Sequence, residues 1–174
     1  MRIIIPFNEN WLFLKPGEDR VPVTLPHTWN ALDGQDGGGD YWRGECVYEK
    51  TFAAPDRKAD EEVYLEFDGV SASAKVTLND HFVGEHRGGY SRFRFNITEY
   101  LQEDNHLIVA VSNAACDTVY PQNADFTFYG GICRAVSVRD DTRAEMVSLH
   151  CVFDEYRRAK NVEYLRDGNI KRGG

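Results

Sequence analysis

One short segment combines an acidic side chain with several aromatic ones, a pairing suited to sugars. Asp125 directly precedes the run Phe126-Thr127-Phe128-Tyr129. A carboxylate can accept hydrogen bonds from hydroxyl groups, and an aromatic ring can pack against the apolar face of a sugar. The segment therefore suggests carbohydrate binding, although the same rings could instead fill a core. The residue types alone do not separate these two interpretations.

A second segment, LPHTWN at positions 25–30, places His27 between a proline and a tryptophan. Such a histidine could act as a base or contact a sugar. No neighbouring residue offers a nucleophile for it to activate, so we favour a structural role. In that interpretation His27 fixes its loop through side-chain hydrogen bonds.

A third candidate, Asn8-Glu9, has the composition of the Asn-Glu pair found in many retaining glycosidases. It lies near the N terminus beside Trp11, with no barrel strand around it, and we do not expect it to be catalytic. The Gly-x-Ser-x-Gly and His-Glu-x-x-His signatures of hydrolases are also missing from the sequence.

The four cysteines, Cys46, Cys116, Cys133 and Cys151, show no metal-binding spacing. None of them forms a CxxC pair, and no histidine stands near one in a zinc-like pattern. We therefore predict four reduced structural cysteines, no metal site and no cofactor.

Composition narrows the function further. The 174 residues have a net charge of −8 at neutral pH, which argues against binding a phosphate backbone. No apolar run approaches the roughly 20 residues of a membrane span. The first residues contain only three consecutive aliphatic side chains before Pro6, fewer than the apolar core of a signal peptide requires. We expect no nucleic-acid or membrane partner. We also expect a cytoplasmic location, unless a signal peptide has been removed.

Apolar and polar residues alternate with a period of two in several runs between residues 63 and 138. These runs predict the strands that must position the candidate site residues. The alternation places Val63, Leu65 and Phe67 on one face and Tyr64 and Glu66 on the other. The same pattern recurs around residues 75–79, 92–95, 107–111 and 133–138. Short alternating runs separated by turn residues predict an all-β sandwich, with one face of each strand toward water.

Three connecting segments have their own signatures. Asn79-Asp80 predicts a two-residue hairpin turn, because both residue types tolerate left-handed backbone angles. Residues 97–101 predict a single helical turn. Residues 31–44 are rich in Gly and Asp and have no periodicity, which predicts a long loop.

The last part of the chain differs from the rest. Residues 151–174 contain six basic and four acidic side chains, whereas the preceding 150 residues are strongly acidic. Near-helical spacing over residues 154–166 predicts a short amphipathic helix. We therefore divide the chain into a sandwich domain, 1–153, and a charged helical or disordered tail, 154–174.

Several short motifs along the chain stand in a distinctive order. They are FNENWLF (7–13), LPHTWN (25–30), DYWRG (40–44), YEKTF (48–52), LEFDGV (65–70), VTLN (76–79), VGEH (83–86), GGYSRF (88–93), NIT (96–98), DFT (125–127) and GGICR (130–134). This order resembles the N-terminal sugar-binding domain of glycoside hydrolase family 2, the β-galactosidase and β-glucuronidase family. The resemblance covers about residues 3–150.

The resemblance implies a jelly-roll sandwich of the galactose-binding-domain type and assigns candidate residues. Asp125 matches an aspartate that holds galactosyl hydroxyls in the β-galactosidases. Further substrate contacts are expected from the group Tyr129, Asp40, Tyr41 and Arg43, and structural roles from the group His27, Trp29, Asn30 and Arg134. Where the family usually has Asp after this arginine, the chain has Ala135, which removes an expected salt-bridge partner of Arg134.

The resemblance also implies what this chain lacks. Both catalytic glutamates of the family belong to a barrel domain that has no counterpart in 174 residues, since such a barrel takes about 250. We therefore predict a sugar-binding domain of a β-galactosidase-like hydrolase, inactive by itself, with weak affinity for a β-galactoside-like carbohydrate. Its other expected partners are the remaining domains of a glycosidase or a second copy. The alternatives are a stand-alone carbohydrate-binding module and a structural or interaction domain from a truncated gene.

Overall fold

Strands dominate the parts of the chain that a computed structural model describes, residues 3–31, 42–115, 128–142, 162–164 and 170–172. The strands are β1 (Ile3–Pro6), β2 (Trp11–Leu14), β3 (Val21–Val23), β4 (Glu45–Ala53), β5 (Glu61–Phe67), β6 (Ser73–Leu78), β7 (His81–Arg87), β8 (Phe93–Asn96), β9 (Asp104–Ser112), β10 (Val136–Thr142), β11 (Val162–Tyr164) and β12 (Ile170–Arg172). One 3₁₀ turn, Thr98–Tyr100, lies between β8 and β9. No helix in these ranges is long and apolar enough to cross a membrane.

Ten of these strands form two antiparallel sheets that face each other. The first has the order β1-β10-β5-β8, and the second has the order β3-β2-β4-β9-β6-β7. From β4 onward the chain passes repeatedly between the sheets, as in a jelly roll. The predicted all-β sandwich is therefore confirmed.

The core lies between the inward faces of the two sheets. Val63, Leu65 and Phe67 of β5 are at most 1% exposed, as are Val76 and Leu78 of β6. The alternating residues of β9 and the aromatic side chains Trp11 and Tyr48 complete the same buried cluster. Alternation thus correctly identified the inward-facing residues of β5, β6 and β9.

The outward face of β5 differs from the prediction. Tyr64 and Glu66, predicted to face water, are only 6% and 5% exposed. β5 is an interior strand, and long arginine side chains from its neighbours cover both residues. The Arg94 guanidinium lies 5.1 Å from the centre of the Tyr64 ring, and Arg139 Nε lies 3.2 Å from Glu66 Oε1.

Both predicted local turns are confirmed. Asn79 and Asp80 have φ angles of 49° and 64° between β6 and β7, as a type I′ hairpin requires. Asn79 also donates from Nδ2 to the carbonyl of Tyr100, at 2.8 Å, and so joins the hairpin to the 3₁₀ turn. That 3₁₀ turn occupies the predicted single helical turn.

In the tail, β11 and β12 pair as a small antiparallel sheet. Val162–Tyr164 is therefore a strand where spacing predicted a helix. A pair of strands supplies backbone hydrogen bonds as well as a helix does, and near-helical spacing over so few residues cannot decide between them. The rest of the predicted helix, 154–161 and 165–166, lies outside the described residues, and the division at 153/154 stays a prediction.

Cys46 and Cys133 are free thiols. Burial raises the pKa of Cys46 to about 11 and also raises the pKa of Cys133. Both side chains therefore stay protonated and weakly reactive at neutral pH. Cys116 and Cys151 lie outside the described residues.

Candidate functional site

One end of the sandwich gathers most of the motif-bearing connections. In the six-stranded sheet, Glu45, Ser112, Ser73 and Arg87 are aligned at this end. In the other sheet, Val136, Phe67 and Phe93 are aligned. We call this the loop end. The described residues at this end belong to 27–31, 42–44, 68–72, 88–92, 113–115 and 128–135.

The two segments with the predicted sugar contacts begin and end at the loop end. Asp40 and Tyr41 belong to 32–41, and Asp125 belongs to 116–127; all three lie outside the described residues. The residues on each side of these segments are described. We call them the stems: 27–31 and 42–44 for the first segment, and 113–115 and 128–131 for the second.

Two buried asparagines connect all four stems. Asn30 and Asn113 are 1% and 2% exposed, and Asn113 Nδ2 donates to Asn30 Oδ1 at 3.1 Å. Asn30 Nδ2 donates to the carbonyl of Trp42 at 2.9 Å, and Asn30 Oδ1 accepts from the backbone N–H of Gly130 at 2.7 Å. Asn113 Nδ2 also donates to the carbonyl of Phe128 at 2.9 Å. We call Asn30 and Asn113 the amide clamp.

Arg43 adds a further link between the stems. Its Nε donates to the carbonyl of Asn113 at 3.1 Å, and its guanidinium lies 4.9 Å from the centre of the Phe128 ring. The next residue, Gly44, donates its backbone N–H to Asn113 Oδ1 at 2.9 Å. These contacts join stem 42–44 to both stems of the second segment, and the contact of Arg43 with a sugar stays a prediction.

His27 is the first residue of stem 27–31 and its side chain is half-buried. Its Nδ1 is 2.8 Å from the hydroxyl of Tyr48, and its ring packs against Phe13. Burial lowers the pKa of His27, so its neutral form is favoured. These contacts correspond to the loop-fixing role and offer no nucleophile. Trp29, 8% exposed, donates from Nε1 to the carbonyl of Trp42 at 3.4 Å.

The Gly130-Gly131 pair lets the chain pass close to these aromatic side chains. A β-carbon on Gly130 would overlap the Trp29 ring, and one on Gly131 would overlap the carbonyl of His27. Gly131 also has a φ angle of 139°, which disfavours any other residue. Its carbonyl accepts from the N–H of Ser71 at 3.0 Å, which ties this stem to segment 68–72.

Tyr129 is the predicted sugar contact that the structure places at the surface, with 46% of its side chain exposed. It follows Phe128, whose carbonyl accepts from the amide clamp. Arg134 is also exposed, and its aliphatic part packs over Gly69. Among the described residues no carboxylate pairs with it, in line with the alanine at position 135.

Asn8 and Glu9 have structural contacts. Asn8 Oδ1 accepts from the N–H of Val136 at 2.8 Å, and Glu9 Oε2 accepts from the hydroxyl of Thr24 at 2.8 Å. In the described part of the chain no three His, Cys, Asp or Glu side chains gather closely enough to hold a metal ion.

The sequence analysis missed three residues of this end. Asn113 follows directly on the alternating run of β9, but an asparagine after a strand usually indicates only a turn. Tyr48 and Tyr90 stand within quoted motifs, yet nothing local distinguishes the buried Tyr48 from Tyr90, which is 79% exposed.

Comparison with known proteins places this architecture in a family. The family model described as glycosyl hydrolases family 2, sugar binding domain, matches residues 23–141. A β-glucuronidase of Bacteroides fragilis is 41% identical over 146 residues, which cover 79% of this chain and 21% of that protein. A β-galactosidase of Thermoanaerobacterium thermosulfurigenes is 30% identical over 192 residues, covering 99% of this chain and 27% of that protein.

Comparison with solved structures supports the same family. The crystal structure of an FMN-binding β-glucuronidase from Facaelibacterium prausnitzii superposes with a TM-score of 0.78 at 42% identity, covering 82% of this chain and 23% of that one. The chain thus spans about a quarter or less of these relatives' length. Motif order, sandwich architecture and the match over residues 23–141 together show that the chain belongs to the sugar-binding domain of glycosyl hydrolase family 2.

Proposed function

We propose that this chain binds a neutral β-galactoside at its loop end. In this proposal the loop end forms part of the rim of a family 2 hydrolase active site, and the chain by itself does not catalyse hydrolysis. The observation that supports it most directly is the amide clamp. It brings together the stems of the two segments that contain the predicted contacts Asp40, Tyr41 and Asp125.

The exposed ring of Tyr129 supports the same assignment. Aromatic side chains commonly bind the apolar face of a sugar, while polar groups nearby bind its hydroxyls. Tyr129 lies on the stem directly after segment 116–127, which contains Asp125. A ring and a carboxylate in one short segment fit a sugar-binding rim.

The charge of the predicted contacts favours a neutral sugar. The relatives include both β-glucuronidases and β-galactosidases. A glucuronide has its own carboxylate, which Asp40 and Asp125 would repel. The arginine of the described stems, Arg43, is engaged with Asn113 and Phe128. These features favour a galactoside over a glucuronide.

Binding is tested by NMR titration of the chain with methyl β-galactoside, with methyl β-glucuronide as the comparison. We expect weak affinity, on the order of millimolar, because few contacts must offset the cost of association. Asp125→Asn should weaken binding, whereas the control Asp104→Asn, at the opposite end of β9, should not. Equal binding by both variants, or tighter binding of the glucuronide, would contradict the proposal.

The absence of catalysis is tested separately. Retaining hydrolysis needs two carboxyl groups about 5–5.5 Å apart across the sugar, and the resemblance places both in a barrel domain. We expect no turnover of nitrophenyl β-galactoside. Turnover that follows the chain through purification would show that it has catalytic groups of its own.

A second candidate function is that of a stand-alone carbohydrate-binding module. The observation that favours it is a second exposed ring at the loop end, Tyr90, which is 79% exposed on segment 88–92. Together with Tyr129 it could contact a longer chain of sugars. Retention on an insoluble polysaccharide that is lost in Tyr90→Ala, with unchanged binding of the monosaccharide, would support this alternative.

A third candidate is an interaction domain that packs against other glycosidase domains or a second copy. It is favoured by exposed apolar side chains on the six-stranded sheet, Leu12 at 41% and Phe82 at 60%. Sedimentation velocity tests self-association. A monodisperse monomer at high concentration would count against a second copy as the partner.

A further inference from the structure

The amide clamp buries two polar side chains, which needs a compensating gain. A buried amide is destabilising unless its donors and acceptors are satisfied, and an apolar pair of similar volume would avoid that cost. Asn30 and Asn113 together make hydrogen bonds to the backbone of Trp42, Gly44, Phe128 and Gly130. All four of these residues belong to the stems. The clamp therefore serves the connection between two loops rather than the pairing of strands within a sheet.

Both side chains need an amide group at these positions. Asn30 uses Oδ1 to accept from Gly130 and Asn113, and it uses Nδ2 to donate to Trp42. Asn113 uses Nδ2 to donate to Asn30 and Phe128, and it uses Oδ1 to accept from Gly44. A carboxylate lacks the donor, and an aliphatic side chain lacks both groups.

We propose that Asn30 and Asn113 are positioning residues that couple the four stems, so that loosening one stem also loosens the others. Neither residue contacts the sugar in this proposal. They act by fixing the distance between the stems from which the sugar contacts extend. The inference rests on the proposed function for its consequence in binding, while the coupling itself is independent of any ligand.

The chain offers a matched control in Asn105, which is also 2% exposed. Asn105 Nδ2 donates to the carbonyls of Phe52 and Gln102, at 3.2 and 2.8 Å, and Oδ1 accepts from the N–H of Gln102. It lies near the start of β9, whereas Asn113 follows the end of that strand, about 26 Å away at the rise of an extended strand. Asn105→Asp removes the same kind of buried donor at the opposite end of the sandwich.

The first measurement needs no sugar. Amide hydrogen exchange is compared in the wild-type chain, Asn113→Asp and Asn105→Asp. Coupling predicts that Asn113→Asp accelerates exchange at Gly130, whose N–H is held by Asn30 rather than by Asn113 itself. Asn105→Asp should leave Gly130 unchanged, even if it lowers the melting temperature as much. Unchanged exchange at Gly130 in a folded Asn113→Asp variant would overturn the coupling.

The second measurement is the affinity for methyl β-galactoside. Asn113→Asp should weaken binding about fivefold, the loss expected from one disrupted hydrogen bond that orders the site. Asn105→Asp should bind like the wild type. Wild-type affinity in Asn113→Asp would overturn the positioning role. If the wild-type chain itself binds no sugar, the proposed function fails and the exchange measurement still decides the coupling.

A second variant covers the case in which Asn113→Asp does not fold. Asn30→Ser keeps a hydroxyl as acceptor but is too short to reach the carbonyl of Trp42, and it introduces no buried charge. Coupling predicts faster exchange at Gly44, whose partner is Asn113. Unchanged exchange at Gly44 in this variant would contradict the proposal.

Discussion

At the residue scale, His27 shows how burial gives a side chain a structural role. Its hydrogen bond to Tyr48 and its packing against Phe13 anchor stem 27–31 to strands β4 and β2. The burial that accompanies these contacts also disfavours the charged imidazolium. The consequence is a contribution to stability that depends on pH.

Because burial lowers the pKa of His27 in the folded chain, the unfolded chain binds the proton more readily. The contribution of His27 is therefore fully present at pH 8 and declines as the pH falls through the ordinary histidine pKa of about 6.5. We expect urea midpoints at pH 8 and pH 5.5 to differ less in His27→Asn than in the wild type. The exposed His106→Asn is the control, and an equal pH dependence in His27→Asn and the wild type would contradict the assignment.

Gly131 gives a second prediction at this scale. Gly131→Ala must tolerate both a positive φ angle and an overlap with the carbonyl of His27. Gly17 also has a positive φ, 84°, but a β-carbon there would meet nothing within 4 Å. Gly17→Ala should cost about 1 kcal/mol from backbone strain alone, and Gly131→Ala clearly more. Denaturant unfolding measures both, and equal losses would show that the stem can move aside.

At the element scale, strand order explains where alternation failed. β6 and β9 follow the simple pattern of one buried and one wetter face. β5 does not, because β10 and β8 flank it and their arginines cover Tyr64 and Glu66. A strand's sequence shows which of its faces is apolar. Whether the other face is covered depends on its neighbours in the sheet.

The β6–β7 hairpin offers a prediction for a whole element. Asp80 occupies the second position of a type I′ turn with a φ angle of 64°, where glycine has no steric cost. Asp80→Gly should raise the free energy of unfolding by about 0.5 kcal/mol, since relief of strain exceeds the added freedom of the unfolded chain.

The neighbouring position should respond in the opposite direction. Asn79→Gly is expected to destabilise the chain, because Asn79 donates to the carbonyl of Tyr100 and to Asn105 Oδ1. Thermal unfolding compares the two variants. A loss of stability in Asp80→Gly would mean that the Asp80 side chain has a stabilising contact of its own.

At the scale of the whole molecule, the sandwich and the tail are expected to be separable. β10 lies between β1 and β5, and it ends at Thr142, before the predicted boundary at 153. A chain of residues 1–153 should therefore fold with nearly the melting temperature of the full chain. Cooperative unfolding at the same temperature would support the boundary, whereas loss of folding would show that the tail belongs to the sandwich.

The family assignment also belongs to this scale, because no single residue establishes it. Each motif is short, and their shared order along the chain indicated the family before any contact was known. The match over residues 23–141 and the superposition with solved relatives confirm it. The two sheets bring these motifs to one end, where a sugar-binding rim can form.

The sequence by itself determined the fold class, the inward-facing residues of β5, β6 and β9, both local turns and the family. The strands and the Asn79-Asp80 turn depend on rules that act over a few residues, alternation and tolerance of a positive φ angle, whereas the family depends on the order of motifs along the chain. The tertiary structure alone decided which polar residues meet. Asn30 and Asn113 are 83 positions apart, and Asn30 and Gly130 are 100 apart, so no local pattern could pair them. An asparagine at the end of a strand has the same sequence signature whether it caps a turn or joins two loops, because its partners come from the fold.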